Sequence, residues 1–184
     1  MALSVLGIAG SLRRGSYNRS LLRAAIELAP ASLAIRPFER LGEVPLYDAD
    51  REEGGTPEPV EALRAAMRSA DGILFATPEY NHSIPGVLKN AVDWASRPAG
   101  RAAYAGKPIG IIGATPGNGA TIRGQLALRQ VLDSDARVMG SPEVLIARAA
   151  ERFDAGGRLA DEATRRFLSR FLDAFAGWVD RFRA

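Results

Sequence analysis

The sequence predicts an α/β domain built on one parallel sheet with helices on both faces. Strand-like and helix-like segments alternate five times along 184 residues, the order that crossover connections impose on parallel strands. The strand candidates at 72–77 and 108–114 are continuous apolar runs, as strands buried on both faces are. The loops after the first, third and fourth strands are polar and rich in glycine or proline. In such sheets ligands sit beyond the carboxyl ends of the strands, where these loops converge.

The elements follow in order. Residues 3–9 form a short apolar strand, and a loop over 10–17 leads to a helix that Asn18 can cap and that runs to about Ala29. Leu21, Leu22, Ala25, Ile26 and Ala29 share one face of it. Residues 33–38 read as a second strand, and Pro37 places it at an edge. The stretch 39–59, with three glycines and three prolines, reads as one long loop. A short helix over 60–68, the third strand over 72–77 and a helix over 87–95 come next. The fourth strand spans 108–114, a helix spans 122–132, and residues 138–139 and 144–146 contain the fifth strand. The last helix, 161–182, carries a wide apolar stripe that includes Phe167, Phe171, Phe175, Trp178 and Phe182, which suits packing on the sheet.

Composition narrows the function classes. The whole chain, 1–184, reads as one domain with an ordinary 47% apolar and 24% charged residues. No run approaches the ~18 apolar residues of a membrane span, and residues 1–9 lack the marks of a signal peptide. With no cysteine there is no thiol catalysis and no thiolate metal site, and cytoplasm is the expected compartment. The net charge of +3 is carried by arginines scattered between acids, without a basic block, so nucleic acid is not the expected partner.

The first loop, Gly10-Ser11-Leu12-Arg13-Arg14-Gly15-Ser16-Tyr17-Asn18, joins a strand to a helix N-terminus. Free N–H groups and the helix dipole favour an anion there. Ser11, Ser16 and Asn18 add neutral donors, and Arg13 or Arg14 adds a guanidinium suited to phosphate oxygens. Neither the triphosphate-binding lysine motif nor the dinucleotide glycine spacing is present, so a terminal monophosphate fits best. The second loop, Pro78-Glu79-Tyr80-Asn81-His82-Ser83-Ile84-Pro85-Gly86, is rigid and polar and can border a planar heterocycle. Its His82, the single histidine, reads as a structural member of the loop, since no serine or carboxylate partner for a hydrolytic triad is evident. The third loop, Thr115-Pro116-Gly117-Asn118-Gly119-Ala120, is small enough to let a flat ligand approach the backbone.

The first loop, together with 78–94 (Pro78-Glu79-Tyr80-Asn81-His82 through Leu88-Lys89-Asn90-Ala91-Val92-Asp93-Trp94), resembles the NADPH-dependent FMN reductase family of quinone, chromate and azo-dye reductases. The resemblance implies a flavodoxin-like three-layer sandwich, a five-stranded parallel sheet in the order 2-1-3-4-5, and FMN at the strand ends. It implies phosphate binding by Ser11, Arg13, Ser16 and Asn18 with the backbone of Tyr17. It implies that Pro78, Glu79, Tyr80 and Asn81 border the isoalloxazine and that Thr115, Pro116, Gly117 and Asn118 flank it. It also implies a homodimer or homotetramer, with Arg123, Arg129 and Glu143 near the contact. Relatives carry a Gly-Gly pair where this chain has Ala120-Thr121, whose side chains are expected to narrow the space above the flavin.

The expected activity is reduction of quinones or similar small acceptors (chromate, azo or nitro compounds, flavin) by NADPH or NADH through bound FMN, with no side chain as acid or base. A flavodoxin-type electron carrier is a rival reading, but such carriers are strongly acidic. A flavin-binding regulator without turnover is another.

Overall fold

The computed structural model describes residues 1–133 and 135–183. Strand β1 (Leu3–Ala9) lies between β2 (Leu33–Pro37) and β3 (Gly72–Ala76), all parallel. β3 pairs with β4 (Pro108–Ala114), and beyond β4 lie β5 (Arg137–Val138) and β6 (Val144–Ile146). The order β2-β1-β3-β4-β5 is the expected flavodoxin-like one.

The fifth strand, however, is two strands. β5 pairs with the start of β4 and β6 with its end. Gly140-Ser141-Pro142 lies between them, and proline has no N–H to give a ladder. Helix side chains take up the slack: Arg129 donates to the Met139 carbonyl at 2.8 Å and Gln125 to the Val144 carbonyl at 2.9 Å.

The helices are α1 (Tyr17–Leu28), α2 (Ala49–Glu53), α3 (Glu58–Ser69), α4 (Gly86–Ala95), α5 (Ile122–Leu132) and α6 (Glu162–Phe182). α1 and α6 cover one sheet face, and α3, α4 and α5 cover the other. Phe171 and Phe175 of α6 are buried in the first core, and Phe75 and Trp94 in the second. Burial of each such side chain contributes about 1.5–3 kcal/mol.

Three local expectations change. Ser16, not Asn18, caps α1: its hydroxyl accepts from the Arg19 N–H at 3.3 Å. Asn18 lies in the first turn, 2% exposed. The stretch 39–59 is not one loop. It holds a 3-10 turn at Leu41–Glu43 and the short α2, capped by the Asp48 side chain on the Asp50 N–H at 3.0 Å. α3 begins at Glu58, because Pro59 falls in its first turn, where a missing N–H costs nothing.

Candidate active site

The three polar loops meet at the carboxyl edge of the sheet. In the first, Ser11 and Ser16 are buried while Arg13 is exposed with no carboxylate partner among the described residues. The Ser11 hydroxyl accepts from the Arg13 N–H at 3.4 Å, which leaves its proton to give, as does the Ser16 cap. The Tyr17 and Asn18 N–H groups open α1 without a backbone partner among the described residues. The Tyr17 ring packs on Phe153, 5.6 Å between centroids, so the tyrosine contributes through its backbone.

Asn18 does something the sequence did not reveal. Its Nδ2 donates to the Ala114 carbonyl at 2.8 Å, and its Oδ1 accepts the Ala114 N–H at 2.9 Å. Two residues earlier, the Ile112 carbonyl accepts from Thr77 just past the end of β3. Ala114 faces the same side with no strand left to pair, and the Asn18 amide fills that place. The bond ties the first loop to the start of the third.

The second loop is anchored through Glu79. Its carboxylate accepts from the Arg123 N–H at 2.9 Å and the Gly124 N–H at 3.1 Å, so it caps α5. The approach is close: a Cβ on Gly124 would sit 3.2 Å from the Glu79 Cα and from two loop carbonyls. Burial pushes the Glu79 carboxyl up, but the Gly124 and Arg123 N–H groups, the Arg123 charge and His82 outweigh it and hold it below its ordinary value. Pro78 is buried, and Tyr80 and Asn81 are exposed beyond this anchor. Tyr80 and Ser83 exchange backbone bonds of 2.9 and 3.0 Å across a two-residue turn, with Asn81 and His82 both at positive φ, 49° and 66°. His82 is exposed, and its Nδ1 lies 2.8 Å from an Arg123 Nη1.

The third loop leaves β4 with the Thr115 hydroxyl accepting from the Gly117 N–H at 3.3 Å. Pro116, Gly117 and Asn118 are exposed. Arg148, at φ 47°, donates its N–H to the Gly117 carbonyl at 3.1 Å and so braces the loop from the edge of the sheet. Thr121 corrects an expectation: it is fully buried, and a Cβ on Gly113 would lie 2.2 Å from its hydroxyl. It faces β4 and does not narrow the space above the loops.

Sequence reasoning also missed the role of Asn90 and Trp94. Spaced by one turn on α4, they hold 44–47: Asn90 bonds the Tyr47 N–H and the Pro45 carbonyl, and Trp94 bonds the same carbonyl at 2.8 Å. Their spacing was legible, their partner was not.

Taken together, a parallel α/β sheet with a donor-rich loop at a helix N-terminus, flanked by two turn-rich loops, defines a mononucleotide-binding protein of flavodoxin-like type. Hydroxyls, N–H groups at a helix start and a guanidinium without a carboxylate partner among the described residues suit a terminal phosphate. The chain belongs to the NADPH-dependent FMN reductase family, whose model matches residues 3–151. It is 47% identical to an NAD(P)H-dependent FMN reductase of Pseudomonas aeruginosa, over 98% of this chain and 97% of that one. It is 43% identical to a 2-hydroxy-1,4-benzoquinone reductase of a Burkholderia species, over 97% of both chains. Among solved structures it matches a flavoenzyme NAD(P)H:(acceptor) oxidoreductase of Paracoccus denitrificans with a TM-score of 0.91, 36% identity and full coverage of both chains. FMN is the cofactor and NAD(P)H the electron donor of this oxidoreductase. Among the described residues no helix is long and apolar enough to cross a membrane.

Proposed function

We propose that this chain reduces quinones, and comparable small oxidants, with NAD(P)H. The Asn18–Ala114 link carries the reading, because it joins a phosphate-type loop to the loops that would border a ring. The Burkholderia relative's quinone substrate supports the acceptor class. Ser11, Ser16, Arg13 and the N–H groups of Tyr17 and Asn18 would hold the FMN phosphate. The Asn18 side chain is committed to Ala114, so its share is through the backbone. Pro78, Glu79, Tyr80 and Asn81 would border the ring on one side, and Thr115, Pro116, Gly117 and Asn118 on the other. Bound FMN supplies two-electron transfer between nicotinamide and acceptor. The protein orients both substrates, and the Glu79 carboxylate, spent on α5, takes no part in proton transfer.

The chain would act as a single domain in the cytoplasm and as a homodimer or homotetramer. Tyr80, Ile122 and Leu126 support the assembly: they are 51%, 46% and 56% exposed, and Ile122 and Leu126 share one face of α5. The test is reconstitution with FMN followed by NADPH or NADH oxidation with 1,4-benzoquinone. The protein should be yellow and turn over, and Arg13→Ala should weaken FMN binding about tenfold or more. Protein that stays colourless with added FMN would refute the proposal.

A further inference from the structure

A cavity of about 170 Å³ opens between α1 and the end of β2. It lies on the β2 side of β1, and none of its lining comes from the loops that follow β3 and β4. It is therefore separate from the place where those loops would border a flavin ring. Its apolar walls include Leu12, Ile26 and Phe38. Leu12 and Ile26 are 54% and 37% exposed, so the chain leaves apolar surface uncovered there. Arg19 and Arg23, one turn apart on α1, line the same hollow. Among the described residues neither bonds a carboxylate. Arg23 donates to the Ser20 hydroxyl at 2.9 Å and reaches the Gly157 carbonyl only at 3.5 Å, and the Arg19 guanidinium makes no bond among the described residues. The acid of the lining, Glu39, is exposed and pairs with neither arginine.

Size and charge together define the occupant. An apolar void of ~150 Å³ holds one benzene ring, so this cavity takes a single six-membered ring with a small substituent. Two guanidinium groups against one carboxylate give the lining a net charge of +1, which attracts an anion and repels a cation. A guanidinium meets a planar carboxylate with two parallel N–H···O bonds. Arg19 and Arg23 stand at i and i+4, so they share one face of α1 and can address the same group. Arg23 already spends an N–H on Ser20, which makes Arg19 the principal ligand and Arg23 the supporting charge.

We propose that this cavity is a second small-molecule site, which binds a monocyclic aromatic carboxylate of the benzoate class. The ring lies among Leu12, Ile26 and Phe38, and the carboxylate lies on Arg19 with Arg23 beside it. Glu39 shares the lining and opposes the anion, so removing its charge tightens binding. The site stands independently of the reductase reading, because α1, the first loop and the segment after β2 build it. It touches the first loop through Ser11 and Leu12. Any coupling between the aromatic acid and a ligand on that loop is then reciprocal.

The test is calorimetric titration of the full chain, with and without FMN, using benzoate as the probe. Benzamide and benzylamine serve as its neutral and cationic counterparts, and acetate as the anion without a ring. Benzoate should bind at least tenfold tighter than any of the three, in flavin-free and in flavin-loaded protein. Arg19→Ala should weaken it about tenfold to a hundredfold, and Glu39→Gln should tighten it about twofold to fivefold. Arg170→Ala, on the exposed surface of α6, should leave it unchanged. All three variants change exposed side chains, and an unchanged unfolding midpoint verifies their fold. No benzoate binding at concentrations up to ~10 mM overturns the proposal. Equal binding of benzamide overturns the selection of a carboxylate, and equal binding of acetate overturns the ring pocket. Benzoate that binds Arg19→Ala as tightly as the parent is seated elsewhere on the molecule, and the cavity assignment falls.

Discussion

Asn18→Ala tests the joint between the two halves of the site. The Asn18 amide is 2% exposed and Ala114 1% exposed, and their two bonds span 96 residues of sequence. Truncation leaves a buried N–H and a buried carbonyl of Ala114 unpaired. Each unsatisfied group costs about 1–3 kcal/mol. Water entering the space left by the amide recovers part of that, so the net loss should be about 3 kcal/mol. For a chain of this size, each kcal/mol moves the midpoint by ~2–4 °C, so the melting temperature should fall by about 6–12 °C. Thermal and guanidinium unfolding of the flavin-free protein measure this without interference from ligand. Asn18→Asp should be no milder, since a carboxylate accepts from the Ala114 N–H but confronts its carbonyl with charge. FMN affinity, read by flavin fluorescence, should fall about tenfold in either variant because the first loop loses its tether. A melting temperature within 1 °C of the parent in Asn18→Ala would show that the Asn18–Ala114 pair contributes no net stability, and the reasoning would fail.

Other perturbations follow from the same contacts. Glu79 has a folded-state pKa below its ordinary value, since its burial is outweighed chiefly by the Gly124 and Arg123 N–H groups. Its stabilisation is therefore complete above the ordinary glutamate value of about 4.3 and is lost as pH falls through the lower folded value. Glu79→Gln should remove that acid-side slope from urea unfolding midpoints measured across pH 2–6, and an unchanged slope would assign it to other carboxylates. Ala120 sits at φ 52°, where a Cβ is strained. Ala120→Gly relieves about 1–2 kcal/mol against about 0.5–1 kcal/mol of added chain entropy, so the melting temperature should rise by a few degrees at most; a fall would show the strain to be absent. Leu126→Glu places a charge on the exposed face of α5 and should shift the sedimentation mass toward monomer, with the fold retained. An unchanged mass would move the proposed interface elsewhere.

What the sequence made legible, and what it hid, divides along a physical line. β3 and β4 could be read because an apolar run without alternation has one good solution in a covered parallel sheet. The three loops could be read because glycine, proline and small polar residues mark where the chain must turn. The destinations of the side chains could not be read. Asn18 and Ser16 both suit a helix cap, and what separates them is an unpaired edge at Ala114, created because β3 stops at Ala76. Glu79 looks like a loop carboxylate offered to a ligand until α5 arrives, with Gly124 admitting the backbone to van der Waals contact. Asn90 and Trp94 look like one polar and one aromatic position on a helix until 44–47 folds over them. In each case local chemistry allows two partners, and the choice is made by a segment far away in sequence.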